Sequence, residues 1–151
     1  ETEVNERKLR VEDAINAARA AAQEGVIAGG GSVLVQISRE LEAFADEFEG
    51  DEAVGVRAVA KALTRPAFWI AENAGKDGAV VVYHIGELEN GNGYNAAADT
   101  YENLIESGVI DPVKVTHSAV VNATSVARML LTTEASVVDK PEEEPQHDHA
   151  H

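Results

Sequence analysis

The chain has 151 residues, of which 44% are hydrophobic, so it is long enough for one domain with a modest core. Its 27 acidic and 12 basic side chains give a formal net charge of −15, which argues against nucleic acids and anionic membranes as partners. It has no cysteine, which excludes disulfides and thiolate metal sites and fits a cytoplasmic location, and no apolar run approaches the roughly 20 residues that cross a bilayer.

A first helix is predicted over residues 3–24 and should end at Gly25. Its apolar face comprises Val11, Ile15, Ala18 and Ala22. Two adjacent carboxylates, Glu12 and Asp13, lie within this helix. A solvated face is the ordinary interpretation, and the functional alternative is a carboxylate that orients water or helps to hold a divalent metal.

A run of three glycines, Gly29 to Gly31, follows this helix and allows the backbone to approach a neighbour closely. Ser32 is predicted to cap a second helix over about 32–46. The apolar stripe of that helix comprises Val33, Ile37, Leu41 and Phe44. Glycines that open a helix suit either a nucleotide cradle or a tight packing turn, and this run lacks the Gly-Lys-Ser/Thr of a Walker A loop.

A third helix is predicted to begin near Asp51 and Glu52. The buried face of this helix comprises Val56, Val59, Leu63 and Ala67. Pro66 should kink the helix or begin a new segment. Residues 79–85 are rich in valine, so propensity favours a strand, although a short buried helix fits as well.

The glycine-rich stretch at residues 91–95 predicts the turn of a hairpin, and residues 98–106 are predicted to form a short helix that ends at Gly108. Asn95 has two interpretations. Its amide can hydrogen-bond a base or a ribose, or it can support the backbone of its own turn.

Residues 109–112 are predicted to form a tight connector, because a proline biases the residue before it away from the helical region. Asp111 in this connector can accept hydrogen bonds from ribose hydroxyls or serve its own turn. A long helix is predicted over about 112–132, with a short β-type end at 135–138.

Five motifs occur in order along the chain. They are Arg-Val-Glu-Asp-Ala at 10–14, Glu-Gly-Val-Ile-Ala-Gly-Gly-Gly at 24–31, Gly-Tyr-Asn-Ala-Ala at 93–97, Gly-Val-Ile-Asp-Pro-x-Lys-Val-Thr at 108–116 and Leu-Thr-Thr-Glu-Ala at 131–135. In this order they resemble the C-terminal third of the group I, GroEL-type chaperonins, and the resemblance extends from Thr2 to about Lys140.

The resemblance implies a mainly α fold, an equatorial-domain-like helical bundle with a small β-hairpin and a short C-terminal strand at 135–138. It implies a helix over 79–88, where propensity favours a strand. Residues 1–23 correspond to the end of the intermediate domain and residues 24–139 to the C-terminal half of the equatorial, ATP-binding domain. The acidic, His-rich tail at 140–151 is expected to be disordered.

The resemblance also assigns site residues. Asp13 matches the carboxylate that positions the attacking water, Gly30 the glycine against which the nucleotide packs, and Asp111 the carboxylate that holds the ribose. Asn95, Ala96 and Ala97 match the segment beside the adenine. The implied cofactor is ATP or ADP with Mg²⁺, and the family's phosphate loop and Mg²⁺ ligand lie in an N-terminal half that this chain lacks. We therefore expect an ATPase in the full-length parent and no hydrolysis by this chain alone.

The partners that the resemblance implies are other chaperonin subunits in a ring, and a co-chaperonin and unfolded polypeptide that bind through an apical domain absent here. The implied role is assistance to protein folding and refolding. The alternative is a non-catalytic helical interaction module derived from the equatorial domain. His147, His149 and His151 form a weak candidate metal site, for which a solvated tail or a purification remnant is the ordinary interpretation.

Overall fold

The computed structural model describes residues 1–139. This part of the chain holds six α-helices and four short strands, so the predicted mainly helical fold is confirmed. The helices are α1 (Thr2–Glu24), α2 (Ser32–Phe44), α3 (Gly50–Leu63), α4 (Arg65–Asn73), α5 (Gly78–Glu87) and α6 (Val113–Thr132), and the strands are β1 (Val26–Ala28), β2 (Asn92–Asn95), β3 (Thr100–Asn103) and β4 (Ile110–Pro112). Within residues 1–139, no helix combines the length and apolarity that a membrane crossing requires.

The chain divides after Ser118 into two compact units. The first unit, Glu1–Ser118, contains every strand and the helices up to α5. The second unit starts at Ala119 and includes, among the described residues, the C-terminal part of α6 and residues 133–139. The predicted domain boundary between residues 23 and 24 stays a prediction, and the predicted tail at 140–151 lies outside the described residues.

The core of the first unit lies between α2, α4, α5 and β2. Its buried members are Val35, Ala67, Ala71, Val81, Ile85 and Tyr94. Two alanines on α4 let that helix approach closely, while the larger side chains of α5 fill the space between the elements. The same packing places the end of β2 beside this core.

The segment at 79–88 is a helix, as the family resemblance implies and against the strand that propensity favours. Asp77 caps this helix, because its carboxylate accepts hydrogen bonds from the backbone N–H groups of Ala79 and Val80. Val81 and Ile85 are one helical turn apart and both are buried. A good cap and a buried face at helical spacing therefore outweigh the β propensity of the valines. Pro66 lies in the first turn of α4, so it begins a new segment as predicted.

The predicted hairpin exists, but its details differ from the prediction. Residues 92–95 are its first strand rather than its turn, and residues 98–106 hold the end of the turn, β3 and a further turn instead of a helix. The reason lies in two asparagines. Asn95 Oδ1 accepts from Ala97 N, and Asn103 Oδ1 accepts from Ile105 N, so both side chains stabilise local turns that compete with a helix.

The predicted connector at 109–112 contains a strand, β4, that pairs antiparallel with β1, with Asp111 opposite Ile27. Both strands have three residues, too few for an alternating pattern to reveal them. The short C-terminal strand predicted at 135–138 is wrong for the described chain, because residues 133–139 form no regular structure. A strand needs a hydrogen-bonding neighbour, and residues 1–139 supply none for this segment.

The predicted apolar stripes are largely exposed. None of the described side chains of α1 is buried, and Ile15 is 46% exposed. On α2 the buried residues are Ser32, Val35 and Ser38, whereas Ile37 and Phe44 of the predicted stripe are exposed. Helical periodicity therefore indicates which face of a helix is apolar. It does not indicate which side chains the described part of this chain buries.

Candidate functional site

The glycine run joins three parts of the fold at the start of α2. Gly29 N donates a hydrogen bond to Val109 O at 2.9 Å, and a Cβ on Gly29 would lie 3.0 Å from the same oxygen. Gly31 is the N-cap of α2 with φ 75°, and a Cβ there would lie 2.7 Å from Ala67 N. A side chain at Gly31 would thus combine a left-handed backbone with a clash against backbone, so glycine is required there.

Gly30 lies between these two contacts with φ 63°, and a Cβ built on it would approach Tyr94 O at 3.5 Å. The bare backbone of Gly30 is therefore next to the end of β2, where the segment Asn95–Ala97 begins. Because it carries no side chain, Gly30 leaves room for a flat group to pack against the peptide. We call Gly29–Ser32, Gly93–Ala97 and Val109–Asp111 together the glycine junction.

Ser32 is not the helix cap that the sequence predicts, because Gly31 occupies the N-cap position and no side-chain cap is formed. Ser32 is instead fully buried, and a Cβ on Gly93 would overlap its Oγ. Among residues 1–139 the Ser32 hydroxyl has no hydrogen-bond partner. Sequence reasoning missed this contact between Ser32 and Gly93, since nothing in the local pattern relates two residues so far apart.

Asn95 uses its side chain inside the hairpin. Its Nδ2 donates to Glu102 Oε1 at 2.7 Å, and its Oδ1 accepts from the N–H groups of Ala97 and Ala98. The hydrogen bond from Asn95 is the main reason why the pKa of Glu102 lies below its usual value. The interpretation of Asn95 as a residue that supports its own turn is confirmed. Ala96 packs on the core and Ala97 is exposed, so the segment 95–97 offers a ligand mainly its backbone and the Ala97 methyl group.

Asp111 is half-buried in β4, opposite Ile27. Burial raises the pKa of its carboxyl group above the usual value. Within residues 1–139 no side-chain hydrogen bond reaches this carboxylate, although the group has lost part of its water. Donors such as the hydroxyls of a sugar suit a carboxylate in this state.

Asp13 lies apart from the glycine junction. It is exposed on α1, and the usual rise of about 1.5 Å per residue places it about 16 Å along the helix axis from Glu24, where α1 ends. The structure therefore brings Gly30, Asn95, Ala96, Ala97 and Asp111 into one region and does not bring Asp13 to them. The C-terminal end of α1 is fixed to the start of α6, because Val113 N donates to the O atom of Gly25, which follows α1, and Lys114 Nζ donates to Gln23 Oε1.

Residues 1–139 contain no group of three or more His, Cys, Asp or Glu side chains placed to hold a metal ion. The candidate ligands His147, His149 and His151 lie outside the described residues. The bare backbone at Gly30 and the partly desolvated Asp111 fit the base and the ribose of an adenine nucleotide. The described residues at the junction provide no cationic side chain for its phosphates.

The contacts of Asp99 in the β2–β3 hairpin were not predicted from the sequence. Asp99 has φ 57° and joins two partners, since Lys76 Nζ donates to its Oδ2 at 2.6 Å and Tyr94 Oη donates to its Oδ1 at 2.9 Å. An aspartate in a turn tolerates the left-handed region, which is a local signal. Its pairing with Lys76 depends on how α5 and the hairpin pack, and the sequence pattern does not contain that information.

The chain is similar to known proteins along its whole length. The sequence model of the TCP-1/cpn60 chaperonin family matches residues 1–141. Chaperonin GroEL 1 of Corynebacterium efficiens is 72% identical over 152 residues, which cover 100% of this chain and 28% of that protein. Chaperonin GroEL 1 of Corynebacterium diphtheriae is 77% identical over 141 residues, which cover 93% of this chain and 26% of that protein.

Among solved structures, a group III chaperonin crystallised in the open state matches with a TM-score of 0.73 at 33% identity, over 78% of this chain and 25% of that one. This match is consistent with the predicted equatorial-domain-like fold. The chain spans 28% of the length of the first curated relative, so the likeness concerns one part of a longer chaperonin subunit.

Proposed function

The chain belongs to the TCP-1/cpn60 chaperonin family, and on that premise we propose that it forms the base and ribose wall of the ATP site in a chaperonin that assists protein folding. The observation that carries the proposal is the glycine junction. It places the side-chain-free backbone of Gly30 beside the segment Asn95–Ala97, close to the strand that holds Asp111.

Each element of the junction has a role in this proposal. The peptide of Gly30, the backbone of Ala96 and the methyl group of Ala97 pack against the flat base, and Asn95 keeps the turn rigid by accepting hydrogen bonds from the N–H groups of Ala97 and Ala98. Asp111 accepts hydrogen bonds from ribose hydroxyls, which compensates the cost of its partial burial. A bound nucleotide with Mg²⁺ supplies the phosphoryl group and its charge neutralisation.

Asp13 has a separate role in the proposal. Asp13 is exposed and forms no ion pair among residues 1–139, so its carboxylate can accept a hydrogen bond from a water molecule. We assign to it the orientation of the attacking water in the complete subunit. Because the described residues of the glycine junction provide no cationic side chain for the phosphates, this chain alone should not hydrolyse ATP. Turnover by the purified chain would contradict that expectation, and in the complete subunit an Asp13→Asn variant with unchanged turnover would contradict the role assigned to Asp13.

Exposed apolar side chains support the proposed ring scaffold. Trp69 on α4 is 53% exposed and Leu130 on α6 is 71% exposed. Leu130 adjoins further exposed apolar side chains on α6, Val126, Met129 and Leu131, and a contiguous group of this kind marks a surface that another polypeptide covers. We assign these surfaces to the rest of a longer subunit in the cytoplasm and to neighbouring subunits, while the co-chaperonin and unfolded polypeptide bind elsewhere on that subunit. Native mass spectrometry of this chain should show concentration-dependent self-association, and a strict monomer at every concentration would argue against it.

The nucleotide proposal has a direct test. Calorimetry should measure the affinity of the purified chain for adenosine and for ADP. We expect dissociation constants on the order of 1 mM, because only base and ribose are held. Adenosine and ADP should bind with similar affinity, because the described residues of the junction offer no cationic side chain to the phosphates. Asp111→Asn should weaken both, whereas the matched control Asp51→Asn on α3 should weaken neither.

Three results would contradict the proposal. Tight binding of ADP with no binding of adenosine would mean that the described residues hold phosphate rather than base and ribose. The absence of binding by either ligand, together with normal folding, would favour the alternative of a non-catalytic interaction module. Equal losses in Asp111→Asn and Asp51→Asn would show that the effect of either substitution is general and not specific to the junction.

A further inference from the structure

The turn at residues 96–99 of the β2–β3 hairpin ends in a residue with a left-handed backbone. Asp99 has φ 57°, and within residues 1–139 it is the one residue other than glycine with a positive φ. Aspartate tolerates this region better than most L-residues, and at Asp99 the side chain is also held by two hydrogen bonds. Such a residue, when it is held from several sides, is a candidate for a functional constraint.

The carboxylate of Asp99 is held from two sides, with one oxygen for each partner. Lys76 Nζ donates to Oδ2 at 2.6 Å, and Tyr94 Oη donates to Oδ1 at 2.9 Å. Lys76 belongs to the link between α4 and α5, whereas Tyr94 lies in β2 and is buried in the core. The pKa of Asp99 is lowered, first by Lys76 and then by Tyr94, as expected for a carboxylate with two good donors.

These two contacts enclose the segment that the proposed function assigns to the base. Asn95, Ala96 and Ala97 lie between Tyr94 and Asp99 in the chain. Asn95 Oδ1 orders the first half of the turn through Ala97 N, and Asp99 anchors its second half. Without the second anchor, the turn is fixed only at its beginning.

We propose that Lys76 and Asp99 are positioning residues that fix the hairpin turn to the α4–α5 link, so that the backbone of Asn95–Ala97 is preorganised beside Gly30 for an adenine base. This inference rests on the proposed function for the identity of the ligand, and on the contacts of Asp99 for the fixing of the turn. Preorganisation raises affinity because the segment does not have to be ordered when the ligand binds.

The size of the effect is limited by solvent. The side chain of Lys76 is 43% exposed and that of Asp99 is 56% exposed, so their attraction is screened by water and by salt. Tyr94 and Tyr101 are the other titratable side chains in this group, and their rings pack at a centroid distance of 5.3 Å. We expect loss of the ion pair to weaken adenosine binding about two- to fivefold, the range of an exposed pair.

A second ion pair on the same molecule provides the control. Arg57 Nη2 lies 2.6 Å from Asp46 Oδ1, the same distance as in the Lys76–Asp99 pair, and its partners have similar exposure. This pair joins α3 to the turn after α2 and has no part in the hairpin. Lys76→Met and Arg57→Met therefore remove comparable ion pairs, of which only the first touches the segment assigned to the base.

The experiment combines two measurements on the full 151-residue chain. Hydrogen exchange followed by NMR reports the protection of the Ala97 and Ala98 amides without ligand, and calorimetry reports adenosine affinity at low and high salt. Lys76→Met should lower the protection of both amides severalfold and weaken adenosine binding about two- to fivefold at low salt. Lys76→Arg should restore both properties, and Arg57→Met should change neither.

The outcomes separate this inference from the proposed function. Unchanged protection of Ala97 and Ala98 in Lys76→Met would overturn the fixing of the turn, whether or not adenosine binds. Lowered protection with an unchanged adenosine affinity would overturn the positioning role. Lowered protection in a chain that binds no adenosine at all would retain the fixing of the turn, overturn its role toward the base, and contradict the proposed function as well.

Discussion

The glycine junction and helix α1 adjoin each other in the sequence and differ completely in packing. At the junction, a methyl group on Gly31 would clash with the backbone of Ala67, and one on Gly29 would be tight against the carbonyl oxygen of Val109. None of the described side chains of α1 is buried, although the helix carries a regular apolar face. The backbone contacts of the junction are thus made within this chain, whereas no described residue of this chain buries the apolar face of α1.

This difference shows what each kind of pattern can reveal. An apolar stripe indicates that a helix has a face to bury, but not where the covering surface comes from. A glycine run indicates a close approach of backbone, and here the approach is made within the chain. The function that we propose for the junction therefore depends on contacts within this chain, whereas the role of Asp13 on α1 depends on the complete subunit.

The largest effect is expected at the junction. Gly31→Ala should destabilise the fold by about 3 kcal/mol, because a left-handed φ and a clash with Ala67 N act together. Chemical denaturation followed by circular dichroism should show a large fall in the midpoint. A decrease of less than about 1 kcal/mol in the free energy of unfolding would mean that the backbone at the junction can shift to accommodate a methyl group. The junction would then be no more tightly packed than α1.

A glycine outside the junction should behave in the opposite way. Gly55 lies in α3 with a helical backbone and nothing within 4 Å of a built Cβ. Gly55→Ala should therefore stabilise the chain by about 0.5–1 kcal/mol, since alanine has the higher helix propensity. The same denaturation experiment shows whether Gly55→Ala raises or lowers the free energy of unfolding. A lower value would mean that the chain needs glycine even where no neighbouring atom lies close, and not only at close contacts such as that of Gly31.

The exposed face of α1 should tolerate polarity. Ile15→Ser should change the free energy of unfolding by no more than about 0.5 kcal/mol, because the side chain is 46% exposed and the helix propensities are similar. Thermal unfolding of the variant and of the unaltered chain, measured under the same conditions, gives the difference in stability. A loss as large as that of a core substitution would show that α1 is covered in solution, by a second copy of the chain or by the chain itself.

The smallest effect is a titration. The Lys76 hydrogen bond lowers the pKa of Asp99, so Lys76→Met should raise that pKa toward its ordinary value near 3.8. A folded pKa below the unfolded one means that the carboxylate stabilises the fold at neutral pH, and that this contribution disappears as the pH falls through the folded pKa. The chemical shift of the Asp99 carboxyl carbon, followed by NMR between neutral and strongly acidic pH, gives this pKa. In the control variant Arg57→Met, the pKa of Asp99 should equal that in the unaltered chain.

The sequence predicts the long helices and the family well, but the short elements and the site less well. Long periodic segments such as α2 and α6 were predicted within a few residues of their bounds, and the ordered motifs gave the family. The β1–β4 pairing was missed because its strands are three residues long, and the helix predicted at 98–106 was wrong because two asparagines form local turns.

The candidate site shows the same limit. The residue types at Gly30 and Asp111 were informative, since one lacks a side chain and the other accepts hydrogen bonds. The burial of Ser32 against Gly93 and the pairing of Lys76 with Asp99 arise from tertiary packing, which local sequence does not encode in readable form.

An NMR titration of the labelled chain with adenosine tests whether the glycine junction is the base and ribose wall of a nucleotide site. We expect the amide signals of Gly30, Ala96 and Ala97 and of the strand around Asp111 to move together, while the amide of Asp13 on α1 stays unchanged. Signals that move elsewhere, or no movement up to ligand concentrations of about 10 mM, ten times the expected dissociation constant, would contradict it.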